Sequence, residues 1–285
     1  MGGGMGRSLL RASHVVHGFD INDKAVLQFV ADGGETGALP DVAKRLDFLV
    51  TVVVNAAQME SVLFGERGVA PLLAKGTVVI GCATVAPDFA RSTEARLAEL
   101  GVLYVDAPMS GGAAKAADGA LTMMVGATPE AMSKAEPVLA SMAQKIFRLG
   151  DRAGAGSAMK IVNQMLAGVH IASMAEAITF AMTQGVEPRQ FMDVIPQCAG
   201  SSWMLENRGP HVVDGDYRPR SAVEIFVKDL GIVSDIARGV RFSAPLTAAA
   251  LQQFLAASGM GYGGEDDAAV AKVYARNARL KLPGE

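Results

Sequence analysis

The feature that most constrains the fold is a change of pattern near the middle of the chain. In the first half, short apolar runs alternate with helix-like stretches, and the strand candidates are residues 14–19, 47–55, 77–82 and 102–105. These runs are continuously apolar, which is typical of strands that are covered on both faces. Because a helical pattern such as residues 87–100 lies between them, the sequence predicts a doubly wound parallel sheet.

The second half of the chain has no further strand pattern. Residues 157–183 form one uninterrupted helical pattern without proline, and more helical segments follow between turn signals. Glycines at residues 150–156 end the sheet region and open the long helix. We therefore predict an α/β domain over residues 1–153 and an all-α domain over residues 154–285.

Composition narrows the class of protein. The 285 residues carry a net charge of −3, so no basic surface is available for nucleic acid or anionic membrane. The longest apolar stretch, residues 165–182, is interrupted by His170, Ser173 and Glu176, which favours a buried helix over a membrane span. Two cysteines, four scattered histidines and the lack of a secretory pattern predict a cytoplasmic protein that needs no metal.

A glycine-rich opening, residues 1–6, precedes a helix-like segment and a strand candidate that leads to Asp20. A dinucleotide site has this arrangement, since glycines let the backbone approach a pyrophosphate and an acid about twenty residues on accepts the ribose hydroxyls. The other interpretation of the glycines is a flexible leader. Asp20, with no arginine in the next two positions, favours NAD over NADP, because a 2′-phosphate would meet a carboxylate there.

A second cluster, Asp-Ala-Pro-Met-Ser-Gly-Gly at residues 106–112, follows directly after a strand candidate. Proline, a hydroxyl and two glycines at the carboxyl end of a strand can expose backbone N–H groups that hold a carboxylate. The alternative is an ordinary connecting turn.

The long helix begins in a third cluster, residues 154–164. We expect Ser157 to cap it and Lys160 to lie in its first turn, with Asn163 and Gln164 on the same face. The positive potential of a helix N-terminus disfavours the ammonium form, and such a lysine can exchange a proton with a substrate hydroxyl. The alternative is a solvated lysine at a helix end. The fourth element is Lys228-Asp229, which lies in an apolar helical run. Taken alone, it is interpreted as a charged pair on the surface.

In this order the clusters resemble the 3-hydroxyisobutyrate dehydrogenase family of β-hydroxyacid dehydrogenases, over essentially the whole chain. The segment 106–112 is similar to the family's substrate loop, 154–164 to its glycine–lysine–asparagine motif, and 228–230 to its C-terminal Lys-Asp element.

The resemblance implies a catalytic and substrate-binding set. Lys160 would be the acid/base, Ser110, Gly111 and Gly112 would hold the substrate carboxylate, and Asn163 would orient the substrate. It also implies NAD as cofactor, with contacts from Gly2, Asp20, Val54, Asn55, Thr84 and Lys228.

Two departures from the family pattern bear on this set. Ala83 stands where relatives carry a serine before the threonine, and Gln164 stands where many carry a second asparagine. The implied function is NAD-dependent oxidation of a small polyhydroxy acid by a homo-oligomer. The alternatives are an enzyme acting on 3-hydroxyisobutyrate or tartronate semialdehyde, or an inactive or binding-only protein.

The largest departure is at the start. Met1-Gly2 aligns with the end of the family's Gly-Leu-Gly-x-Met-Gly fingerprint, and residues 5–14 match its first helix. We therefore expect the given chain to lack the first strand of the sheet and the first two fingerprint glycines, which normally cradle the pyrophosphate.

Overall fold

A mixed β-sheet organises Met1–Lys160, the first of the two units into which the chain divides. The computed structural model describes residues 1–284. In chain order the strands are β1 (Phe48–Thr51), β2 (Val78–Gly81), β3 (Leu103–Asp106), β4 (Met109–Ser110), β5 (Leu121–Ala127) and β6 (Ala143–Gly150). The strands β1, β2 and β3 are parallel neighbours, which confirms the predicted parallel core. The remaining strands were not predicted: β5 runs antiparallel to β3 and β4 and parallel to β6.

Helices cover both faces of this sheet. They are α1 (Gly2–Arg11), α2 (Asp23–Ala31), α3 (Leu39–Ala43), α4 (Ala56–Phe64), α5 (Pro87–Glu99), α6 (Gly112–Asp118) and α7 (Pro129–Met142). Successive strand residues point to opposite faces, so Ile80 belongs to one apolar cluster and its neighbour Val79 to another. Both clusters are buried, which explains why the strands are apolar throughout rather than alternating.

The predicted strand at residues 14–19 is wrong. Within residues 1–284 this segment makes one isolated parallel bridge, between His17 and Glu35, supported by hydrogen bonds from Gly18 N to Glu35 O and from Glu35 N to Val16 O. The ladder stops there because the segment around Glu35 is short: it follows two glycines and leads into α3 within a few residues.

The glycine-rich opening is helical from Gly2 onward, and two of its glycines permit close packing. A Cβ atom at Gly4 would lie 2.8 Å from the backbone nitrogen of Ala117, and one at Gly6 would lie 2.7 Å from the ring of Phe29. The helix α1 therefore packs tightly against α6 and α2, which a side chain at either glycine would prevent.

The second unit, from Ile161 onward, is helical. It contains most of α8 (Ala155–Thr183), followed by α9 (Pro188–Val194), α10 (Trp203–Val213), α11 (Val223–Gly239), α12 (Pro245–Ala257) and α13 (Ala271–Asn277). Its core joins Ile171 and Ile178 of α8 to Phe226 of α11 and Phe254 of α12, whose rings stack with centroids 5.1 Å apart. Trp203 is 60% exposed in the first turn of α10.

The predicted long helix is confirmed as α8. Among the described residues it is the one helix that is long and apolar enough to cross a membrane, with a mean hydropathy of 1.4 over its most apolar window. A core helix of a soluble protein meets the same criterion, and Ile171, Met174 and Ile178 are fully or almost fully buried in the core of the second unit. This helix therefore has a structural role that needs no membrane.

Candidate functional site

In the first unit, the N-terminus of α1 lies against the carboxyl end of β1. A Cβ atom at Gly2 would be 3.5 Å from the Cβ of Val52, just past that strand. The first turn of α1 contains no acidic residue, and Met1 supplies no side-chain cap. The first N–H groups of an α-helix have no intrahelical partner, so this end presents donors and a positive potential.

The loop after β1 continues this edge of the sheet. Val54 is about half exposed, and its N–H donates to the side-chain oxygen of Gln58 at 2.8 Å. Asn55 caps α4, since its side-chain oxygen accepts from the N–H of Gln58 at 2.8 Å. Thr84 is half-buried just after β2. Because β1 and β2 are parallel, these residues lie at one edge, where open α/β sheets bind their ligands.

Asp20 lies beyond the His17–Glu35 bridge and is exposed. One of its carboxylate oxygens accepts from the N–H of Asn22 at 2.9 Å. The carboxylate is thus held in a short turn before α2.

The segment 106–112 forms a sharp turn in the same unit. Ser110 ends the short strand β4 opposite Thr122, and it is half-buried. Gly111 and Gly112 have φ values of 135° and 74°, a region that residues with a side chain rarely adopt. A Cβ atom at Gly111 would also lie 2.9 Å from the side chain of Lys115. Two glycines are therefore required for this turn.

Asp106 connects the strand that leads into this turn to the start of α8. One of its oxygens accepts from the N–H groups of Gly154 and Ser157, both at 2.8 Å, and the other accepts from the Ser157 hydroxyl at 2.6 Å. The carboxyl group is fully buried. Burial raises the pKa of Asp106 above its ordinary value, although the hydrogen bonds from Ser157 and Gly154 oppose this.

The start of α8 differs from the prediction in one respect. The helix begins at Ala155, so Ser157 lies inside its first turn and donates to Asp106 rather than acting as the cap. Lys160 therefore lies in the second turn, as the last residue of the first unit. It is only 8% exposed, which excludes the alternative of a solvated lysine.

In the second unit, four polar side chains connect α8 and α11. Lys228 pairs with Asp229 at 2.5 Å, Gln164 donates to Asp229 at 2.5 Å, and Asn163 donates to Gln164 at 2.9 Å. Asp229 is 1% exposed and Gln164 is 7% exposed, so the predicted surface pair at 228–229 is half of a buried network.

An α/β unit with these groups at the carboxyl edge of parallel strands, followed by a helical unit, is the architecture of a dinucleotide-dependent dehydrogenase. Residues 1–150 match the family model described as the NAD binding domain of 6-phosphogluconate dehydrogenase. Residues 154–274 match the model for the NAD-binding region of NADP-dependent 3-hydroxyisobutyrate dehydrogenase.

Individual relatives agree with these matches. The chain is 51% identical to an L-threonate dehydrogenase of Cupriavidus necator, covering 100% of this chain and 95% of that one. It is 45% identical to an L-threonate dehydrogenase of Escherichia coli K12, covering 100% and 94%. A crystal structure of a 3-hydroxyisobutyrate dehydrogenase from Salmonella typhimurium superposes with a TM-score of 0.90 at 46% identity, covering 95% of each chain.

The chain belongs to the 3-hydroxyisobutyrate dehydrogenase family and is an NAD-dependent hydroxyacid dehydrogenase. Its own residues fit the cofactor. The uncapped N-terminus of α1, free of nearby acidic side chains in its first turn, suits a pyrophosphate. The half-exposed Val54 and the half-buried Thr84 border the same edge of the sheet. Among residues 1–284, no cluster of histidine, cysteine or acidic side chains could hold a metal ion.

Two parts of this arrangement were not found from the sequence. Asp106 begins the segment 106–112, for which the sequence predicts a ligand-binding turn, but its partners are about fifty residues away along the chain. The only local signal was a carboxylate at the end of an apolar strand. Likewise, the contact between Gln164 and Asp229 joins residues 65 positions apart, and nothing in either segment indicates the other.

Proposed function

We propose that this dehydrogenase oxidises L-threonate to the corresponding 2-oxo acid with NAD. The names of the two relatives at 51% and 45% identity support this substrate. The observation in this chain that supports the chemistry most directly is the burial of Lys160, five residues into a helix whose first turn is held by Asp106. A buried lysine at a fixed position is suited to proton transfer, whereas solvated lysines are the usual outcome elsewhere.

Each residue of the set then has one task. The Lys160 amine takes the proton of the substrate hydroxyl while the carbon that bears this hydroxyl loses a hydride. The Ser110 hydroxyl and the backbone N–H groups of Gly111 and Gly112 donate to the substrate carboxylate, and Asn163 orients the substrate. NAD, when bound, accepts the hydride. When the carboxylate and the reacting hydroxyl are both held in place, the entropy of bringing the reacting groups together is lost on binding. The activation free energy of the chemical step is lower for that reason.

The cofactor contacts proposed for this chain are Gly2, Asp20, Val54, Asn55, Thr84 and Lys228. Gly2 lies at the helix N-terminus that suits the pyrophosphate, and Asp20 would accept the ribose hydroxyls. We assign the NAD-binding domain to residues 1–153, which also supply Ser110, Gly111 and Gly112 to the substrate. We assign the substrate and oligomerisation domain to residues 154–285, which also supply Lys228 to the cofactor.

The proposal about Lys160 is tested by Lys160→Ala, with Lys44→Ala at an exposed position as the matched control. We expect kcat for L-threonate to fall by about 10²–10⁴-fold in Lys160→Ala, while the affinity for NAD and the activity of the control stay near wild type. Turnover close to wild type in Lys160→Ala would remove the lysine from the mechanism and leave Lys228 as the next candidate.

A second candidate substrate class has one specific observation in its favour, the close match to the Salmonella structure named 3-hydroxyisobutyrate dehydrogenase. In that case the chain would act on 3-hydroxyisobutyrate or tartronate semialdehyde with the same Lys160 chemistry. The two classes differ in how many substrate hydroxyls the pocket must satisfy, and a pocket built to bind a hydroxyl rejects an analogue without it.

We further propose a cytoplasmic homo-oligomer of at least two copies. Val162, Leu166 and Phe180 lie along one side of α8 and are more than half exposed, an apolar stripe of the kind that a second subunit covers. Light scattering on the purified protein tests this; a mass equal to one chain at micromolar concentration would contradict it.

A further inference from the structure

The side-chain network of the second unit runs from Lys228 through Asp229 and Gln164 to Asn163. Its contacts are Lys228–Asp229 at 2.5 Å, Gln164–Asp229 at 2.5 Å and Asn163–Gln164 at 2.9 Å. We call these four residues the amide relay. Its inner members, Asp229 and Gln164, are buried, whereas Asn163 is only partly buried.

The relay is held by close approach of two helices. A Cβ atom at Gly168 would lie 2.8 Å from both terminal methyl carbons of Leu230, so only a glycine allows α8 and α11 to come this near. Leu230 follows Asp229 directly, and Gly168 lies one turn after Gln164. The contact between Gln164 and Asp229 is therefore set by the packing of the helices and not by the side chains alone.

The charge of Asp229 decides how the amides are turned. A carboxylate paired with an ammonium group can only accept hydrogen bonds, so Gln164 must direct its NH₂ group toward Asp229. The oxygen of Gln164 then faces Asn163, and Asn163 must direct its own NH₂ group toward that oxygen. Turning either amide round would place two oxygen acceptors against each other at hydrogen-bond distance.

We propose that the amide relay fixes Asn163 with its side-chain oxygen outward, as an acceptor for a hydroxyl group of the substrate. This inference rests on the proposed function, in which Asn163 contacts the substrate. Asp229 and Gln164 are then positioning residues, and Asn163 Oδ1 selects acids that carry an additional hydroxyl. A substrate with a hydrogen or methyl group in place of that hydroxyl leaves Asn163 Oδ1 without a hydrogen-bond donor. The site therefore disfavours 3-hydroxyisobutyrate and favours polyhydroxy acids.

The test compares kcat/KM for L-threonate with kcat/KM for its 3-deoxy and 4-deoxy analogues, in wild type and in Asp229→Asn. Asparagine at 229 has the same shape but can donate as well as accept, so the relay can turn round and Asn163 can present its NH₂ group instead. We expect the preference of wild type for L-threonate over one of the two analogues to fall by about tenfold, the loss of roughly one hydrogen bond. The matched control is Asp235→Asn, an exposed aspartate on the same helix, which is expected to keep the wild-type preference.

A merely structural role for Asp229 is separated by a double-mutant cycle. In an Asn163→Ala background, Asp229→Asn is expected to change the preference no further, because the relay acts through Asn163. If Asp229→Asn fails to fold, Gln164→Leu breaks the relay and keeps the Lys228–Asp229 pair, with the same expected loss of preference. An unchanged preference in the folded variant, or an additive double mutant, overturns the relay.

Failure of the proposed function gives a different result. A wild-type protein that prefers another hydroxy acid to L-threonate contradicts the proposed substrate. The relay is then tested with that acid and its deoxy analogue, by the same variants and the same ratio.

Discussion

Two substitutions of Asp106 test how the helix that carries Lys160 is held. One of them is expected to destabilise the protein strongly and the other is not. Asp106→Asn keeps the shape of the side chain. Its oxygen can accept from the N–H groups of Gly154 and Ser157, and its NH₂ group can donate to the Ser157 hydroxyl, which also accepts. Asp106→Ala leaves both buried N–H groups without an acceptor.

The magnitudes follow from these contacts. An unsatisfied buried donor costs about 1–3 kcal/mol, so Asp106→Ala is expected to lower the free energy of unfolding by about 2–6 kcal/mol. That is a large part of the roughly 5–15 kcal/mol that folded proteins possess. Asp106→Asn is expected to change it by about 1 kcal/mol or less, since burial already disfavours the charge and the acceptor geometry is retained.

The assay is urea denaturation followed by circular dichroism, with kcat measured on the same samples. We expect Asp106→Ala to lose activity together with stability, since the turn that begins the Lys160 helix loses its anchor, and Asp106→Asn to stay within a few-fold of wild type. Equal stability of Asp106→Ala and wild type would mean that these N–H groups have other acceptors and that Asp106 does not hold the start of α8.

Three further predictions concern pH, thiol reactivity and cofactor choice. Folding raises the pKa of Asp106, so the folded protein still holds this proton at a pH where the unfolded chain has released it. The contribution of Asp106 to the free energy of unfolding is therefore expected to fall as pH rises above about 4. Asp106→Asn is expected to abolish this part of the pH dependence. Burial raises the pKa of Cys82 to about 12, so Ellman's reagent is expected to label one thiol per native chain, the exposed Cys198, and two in denaturant; rapid labelling of native Cys198→Ser would contradict this. Asp20→Ala is expected to narrow the preference for NAD over NADP in kcat/KM; a wild-type preference for NADP would show that Asp20 does not face the ribose.

The sequence predicted those elements whose signal is local. The strands β1, β2 and β3 and the helix α8 are long, apolar or strongly periodic, and the predicted ranges contain or nearly contain the observed ones. The antiparallel strands β4 and β5 were missed because β4 has only two residues and β5 contains Gly126 and two methionines, which give no strand pattern by themselves.

The N-terminal glycines show that a glycine motif does not by itself determine the structure it forms. Glycines permit close approach of a phosphate, but they also permit helices to approach closely, and Gly4 and Gly6 do the second. Which of the two applies depends on Ala117 and Phe29, which are distant in the sequence. The same holds for the functional groups, since Lys160 was found from its own segment but its anchor Asp106 was not.

Substrate kinetics test whether this chain oxidises L-threonate with NAD. The measurement is kcat/KM with NAD for L-threonate, for 3-hydroxyisobutyrate and for glycerate, the reduced form of tartronate semialdehyde, with the product from L-threonate trapped and identified as the 2-oxo acid. We expect kcat/KM to be highest for L-threonate, by at least about tenfold, the discrimination that one unmatched hydroxyl supplies. A higher value for 3-hydroxyisobutyrate or glycerate, or oxidation at a hydroxyl other than the one next to the carboxylate, would show that the proposed reaction is wrong.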